Sequence, residues 1–144
     1  MAKKISALVI TMLVCLSACQ SLGQKAEAGH SQDELKREYK ASKDDFRKKY
    51  DGKEVVVYGK ADTINPSGDQ VYLRLETTDS GLYGIPDVIC SVDKPDADRF
   101  ASQKVGKGDY VRVKGTMSVD EKDLYEIQLK SCKLVKTGID AMSD

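Results

Sequence analysis

Apolar and polar residues alternate in three different ways along this 144-residue chain. The first stretch, Ile5 to Leu16, is apolar without a polar stripe and follows Lys3 and Lys4. A short positive segment ahead of an apolar run too short to span a bilayer securely reads as a secretory signal. "QSLGQKAEAGH", Gln20 to His30, is small, polar and aperiodic, and reads as a tether spacer. A helical period follows, opening with Ser31 and Glu34 at the spacing of a capping box. Leu35, Tyr39, Ser42, Phe46 and Tyr50 then recur at intervals of three or four, one mostly apolar stripe on a single helix that Gly52 ends. Interleaved acids and bases make its opposite side a solvated face.

Beyond Gly52 the period changes to two. "KEVVVYGKADTI" sets Val55, Val57, Gly59 and Ala61 on one side, with Val56, Tyr58 and Lys60 on the other. Asn65 to Asp69 is a turn cluster, and "QVYLRLET" follows with Val71, Leu73 and Leu75 inward and Tyr72, Arg74 and Glu76 outward. After the loop "TDSGLYGIPD", a third strand groups Val88, Cys90 and Val92. Pro95 opens a short helix or turn carrying Phe100, with Gly106 and Gly108 at its end. The fourth strand puts Val111, Val113, Gly115 and Met117 on one face, and the fifth puts Tyr125, Ile127 and Leu129 inward. Cys132 and Leu134 are out of phase with Leu129, so a bulge near Lys130 or Ser131 is expected.

The pattern predicts a mainly β protein: a five-stranded Greek-key barrel of the OB type, with an N-terminal α-helix and a short helix between strands three and four. "YDGKEVVVYGKADTI", "DVICSV", "KVGKGDYVRVKGTM" and "IQLKSCKL" resemble the bacterial OB-fold family called tRNA-anti-like, over roughly Leu35 to Val135. In such a barrel the third and fifth strands are neighbours, so the resemblance places Cys90 beside Cys132. The front of the chain carries a second resemblance. Leu16-Ser17-Ala18-Cys19 is similar to the lipobox of bacterial lipoproteins, which implies cleavage before Cys19 and a lipid anchor on its sulfur. Gln20 stands where an Asp would resemble an inner-membrane retention signal, implying, in a two-membrane bacterium, an outer-membrane protein facing the periplasm. The expected organisation is a signal peptide over 1–18, a lipidated tether over 19–30, the OB domain over 31–137 and a tail over 138–144.

Composition changes this picture in three places. Without Lys3 and Lys4, 21 of the 23 basic side chains remain against 23 acidic ones, a formal charge near −2, which disfavours tight nonspecific nucleic-acid binding. Of the four cysteines, Cys15 leaves with the signal and Cys19 takes lipid. In an exported protein the remaining pair, Cys90 and Cys132, favours a disulfide over a metal site, a redox pair or two separately buried thiols. The single histidine, His30, precedes the folded body, so neither a hydrolase triad nor a zinc site can be assembled, and a noncatalytic protein without cofactor is expected.

OB barrels bind ligands across strands two and three and their flanking loops. Tyr72 and Arg74 stand outward on strand two, bordered by Tyr58 and Lys60, with Asn65 in one flanking loop and Asp123 in the other. These six are the candidate ligand-binding residues, for an oligosaccharide, a peptide or a single-stranded nucleic acid. The alternative is a scaffolding lipoprotein docking onto a protein partner in an envelope assembly such as a secretion or conjugation system.

Overall fold

A computed structural model describes residues 28–76, 87–119 and 126–143. The candidate lipid site Cys19 and the candidate ligand residue Asp123 lie outside these residues, as does Tyr125.

The leading helical segment is two helices rather than the single one expected from the stripe. α1 spans Gln32–Ala41 and is capped by Ser31, whose Oγ accepts from the Glu34 amide at 3.0 Å. α2 spans Lys43–Tyr50. Between them Ser42 is extended, with φ −160° and ψ 107°. Its N–H donates to Glu38 O at 3.1 Å, closing α1, while its Oγ accepts from the Asp45 amide at 3.3 Å, opening α2. A serine hydroxyl offers the backbone this alternative partner, and Asp44 and Asp45 suit a fresh helix N-terminus. The apolar stripe survives the break: Tyr39 meets Phe46 edge-on at 5.4 Å, and Phe46 meets Tyr50 at 4.7 Å.

Five strands close into the expected barrel. They are β2 (Glu54–Ser67), β3 (Gln70–Glu76), β4 (Asp87–Asp93), β5 (Tyr110–Ser118) and β6 (Glu126–Thr137), ordered β2-β3-β4-β6-β5 and closed by β2–β5. All pairings are antiparallel except β4–β6, the crossover pair of an OB fold. A two-residue strand β1 (His30–Ser31) adds in parallel to β2, so His30 already touches the folded body, its ring edge-on to Tyr50 at 5.4 Å. The interior holds the predicted alternating residues: Val55, Val57, Ala61, Leu73, Leu75, Val88, Cys90, Val92, Val111, Val113, Met117, Ile127 and Leu129 are all buried.

Of three register shifts in the barrel, at Asp62, Ser131 and Val135, the first two decide the faces of the residues singled out from the sequence. At Asp62, β2 carries one residue more than β3, since Ala61 pairs with Leu75 but Thr63 pairs with Arg74. The extra residue reverses the phase, so Asn65 lies beside Tyr72 on the outer face, whereas strict alternation would place it with Ala61 inside. On β6 the expected bulge falls at Ser131, whose φ is +51°, and it returns Cys132 and Leu134 to the core. The bridge between Cys90 and Cys132 spans 42 residues of chain, with Cα atoms 6.0 Å apart.

The turn placed at Asn65–Asp69 is shorter than expected. β2 continues through Ser67, and Gly68, with φ +60°, and Asp69 form the loop. Pro66 can sit in this strand because pairing with β5 ends at Lys60, leaving an edge that needs no donor. α3 (Lys94–Ser102) stops before the glycines expected to end it. Lys104, at φ +53°, donates to Ala101 O and Val105 donates to Phe100 O, a Schellman ending that packs Val105 near buried Phe100. Lysine in the left-handed position leaves no glycine signal for the sequence to display.

Candidate functional site

The outer face of β3 forms the floor of a groove of about 650 Å³ that runs from the far end of β2 across β3 and β4 to β6. Three of the six candidate residues come together in it: Asn65, Tyr72 and Arg74. Tyr72 is 40% exposed, a large fraction for an aromatic ring on a strand. Its hydroxyl donates to Gln70 Oε1 at 3.1 Å, and Gln70 Nε2 in turn donates to Asp93 Oδ1 at 3.0 Å. This chain fixes the ring's tip to the β3–β4 pair while leaving its face open, the preorganisation a stacking platform needs.

Arg74 lies with its Nε 3.8 Å from Asp87 Oδ2, and Asp87 Oδ1 accepts from the Lys36 ammonium at 3.0 Å. Lys36, on α1, is fully buried, so its charge is held beneath the edge of the groove by Asp87. Asp87 therefore answers to two cations, and Arg74 retains the capacity to meet an anionic or strongly polar ligand group. At the bulge, Lys107 donates to Asp62 at 2.9 Å and Thr63 Oγ1 donates at 2.9 Å. These contacts, Lys107's first, hold the Asp62 carboxyl below its ordinary value, so it stays charged beside the groove's Thr63.

The other candidates lie elsewhere or outside the described residues. Tyr58 sits on the β5 side of β2, its ring 5.1 Å from the Arg112 guanidinium carbon. Lys60 stands before the bulge, 3.8 Å from Glu76, and does not line the groove. Sequence reasoning treated β2 as one face, but β2 serves β5 with its first half and β3 with its second. It also missed Gln70, Ser91, Gln128, Lys130 and Ser131, which line the groove from β3, β4 and β6. Only the β4–β6 parallel pairing brings the last three across, and no local pattern announces it.

The lining is rich in amides and hydroxyls, with Ile89 and Leu129 as its apolar part and Arg74 and Lys130 as its cations. Among the described residues no three His, Cys, Asp or Glu side chains group as a metal site. The arrangement can stack a flat ring, hydrogen-bond its edges and hold one or two anionic groups, which defines a binding-type OB barrel. The chain belongs to the tRNA_anti-like family, which it matches over residues 1–133. A Klebsiella pneumoniae protein that carries the provisional name of a nucleic acid-binding lipoprotein shares the fold with a TM-score of 0.59 and 14% identity, over 76% of this chain and 92% of that one. A Leishmania major protein provisionally named an aspartyl-tRNA synthetase superposes with a TM-score of 0.52 and 17% identity, over 83% of this chain. The match covers only 23% of that longer protein. No functionally curated protein matches the sequence.

Proposed function

We propose that the protein is a noncatalytic binding module that holds an oligomeric ligand in the groove over β3, and that lipid on Cys19 keeps it at the outer membrane, facing the periplasm. The observation that carries the binding role is the convergence of Tyr72, Arg74 and Asn65 with the amide and hydroxyl groups of Gln70, Ser91 and Gln128 in one groove. A ring stacks on Tyr72, Arg74 and Lys130 take its anionic groups, and the amides meet its edges. Membership in the tRNA_anti-like family, together with the Klebsiella neighbour's name, supports single-stranded nucleic acid as the first ligand class to test. The lipobox-like Leu16 to Cys19 supports the anchor.

Two groove cations set a limit on how electrostatic the binding can be. At about −0.7 per phosphate neutralised on a single strand, the log–log salt slope is about −1.4, far shallower than that of a basic nucleic-acid-binding protein. The test is fluorescence anisotropy of the processed chain with labelled single-stranded oligonucleotides, with oligosaccharides and peptides as competitors. Tyr72→Ala is expected to weaken binding by about 5- to 150-fold, the range of one lost stacking contact. Binding unchanged by both Tyr72→Ala and Arg74→Ala in a folded barrel would remove the groove from consideration. Displacement by an oligosaccharide with a flat salt profile would make sugar the ligand, and no binding at all would leave docking to an envelope protein as the role.

A further inference from the structure

Four large hydrophobic side chains are exposed among the described residues: Tyr72 in the groove, and Val135, Ile139 and Met142 within one short C-terminal stretch. Gly138, at φ +77°, turns the chain out of β6, and its N–H donates to Tyr110 O at 2.9 Å. Ile139–Met142 then forms a single 3₁₀ turn. With three residues per turn, positions 139 and 142 eclipse, so Ile139 and Met142 lie one above the other on the same edge. Ala141 points the other way and is completely buried, while Asp140 occupies the third side. Ile139 is 84% exposed and Met142 46%.

Arg112 ties this turn to the other end of the folded chain. It is 2% exposed, its Nε donates to Ala141 O at 2.9 Å, and its guanidinium lies over Tyr58. Gly29 packs onto the same two side chains so closely that a Cβ there would stand 3.0 Å from Tyr58 Cδ1 and 3.2 Å from Arg112 Cζ. The N-terminal segment therefore reaches the barrel beside the Ile139–Met142 edge. Cys19 is ten residues before Gly29, and ten residues span at most about 35 Å. An anchor at Cys19 would keep this corner of the barrel within that reach of the bilayer surface.

We infer that the Ile139–Met142 edge is a second membrane contact, which rests on the phospholipid surface beside the tether and holds the barrel in a preferred orientation. The inference rests on the lipid-anchor reading of Cys19. Lys133 and Lys136 on the adjoining strand supply charge for anionic headgroups, partly offset by Asp140. The groove lies over β3, β4 and β6, whereas Arg112 and Tyr58 lie on β5 and the first half of β2. Resting on the turn therefore leaves the groove directed away from the bilayer, open to ligand.

The test uses the processed protein purified from cell membranes and returned to vesicles of phosphatidylethanolamine and phosphatidylglycerol. An NBD fluorophore is attached through Ile139→Cys or, as a control on the exposed side of α2, through Asp44→Cys. The probe at 139 should emit to the blue of the control and be quenched about threefold more by nitroxide-labelled lipid, as for a side chain seated at the headgroup boundary. Equal, water-like emission at both positions in vesicle-bound protein would overturn the membrane contact while leaving the anchor intact. A blue shift at 139 that lipid nitroxides do not quench and that dilution removes would assign the edge to a second copy of the chain instead. The mass of the Cys19 peptide separates the readings: an unmodified Cys19 in soluble protein would end both.

Discussion

A Cβ at Gly115 would stand 2.7 Å from Cys132 Sγ and 3.1 Å from the Lys130 carbonyl oxygen, so β5 passes the disulfide at a distance only glycine permits. The close approach coincides with the bulge at Ser131, where β6 gains a residue against β5 and swings Cys132 inward. Neither the sulfur nor the carbonyl is the movable end of a long side chain. Gly115→Ala is therefore expected to destabilise the barrel by about 1–3 kcal/mol through overpacking, read as a lower urea midpoint with an unchanged slope.

The Cys90–Cys132 bridge closes a loop of 42 residues between the crossover-paired strands β4 and β6. In the chain-entropy account such a loop stabilises by about 4 kcal/mol. Replacing both cysteines with alanine should lower the unfolding free energy by about that amount. Wild-type protein should gain mass on alkylation at Cys90 and Cys132 only after reduction.

Lys36 and Asp87 give a pair of opposite expectations. Asp87→Ala leaves a buried ammonium without its carboxylate and should cost about 2 kcal/mol, discounted because Asp87 itself is part-exposed. Lys36→Met removes the charge but keeps the apolar stem, and should be close to neutral. Denaturant melts of the two variants check this, and equal losses would contradict a charge-burial account.

Gln70→Ala should weaken groove binding without lowering stability. It releases the Tyr72 hydroxyl but removes little buried surface, since Gln70 is only partly covered. The expected sign is a faster dissociation rate of any ligand that Tyr72→Ala also weakens, measured by stopped-flow anisotropy.

Glu38 makes the helix pair sensitive to acid. Burial pushes its carboxyl up, but hydrogen bonds from Lys49 at 2.8 Å and Tyr50 at 3.0 Å, with the charges of Lys49 and His30, pull it net below its ordinary 4.5. The folded-state value thus lies below the unfolded one. Its stabilisation is present above the unfolded value and disappears as pH falls through the folded one. As pH falls through the ordinary 4.5 and below it, the melting temperature of wild type should fall more steeply than that of Glu38→Gln.

Alternation along the chain was enough to read the five barrel strands, the buried residues among those described, and the β6 bulge, because Cys132 and Leu134 could be buried only by a change of phase. Tyr72 and Arg74 were legible for the same reason: period two states which side chains face away from the core. Local pattern does not state what lies over that outer side. Tyr58 and Tyr72 both point outward, yet one is stacked on Arg112 and the other stands open, since Tyr58 lies on the half of β2 that pairs with β5 and Tyr72 lies on β3, opposite the half of β2 beyond Lys60. Lys36 and Arg112 are charged side chains outside the apolar faces read from the sequence, yet both are buried, with partners distant in the chain. The barrel is legible along the chain because burial of alternating apolar residues is a local demand. The groove, the covered cations and the exposed Ile139–Met142 edge arise from contacts between residues far apart in sequence, which no local pattern states.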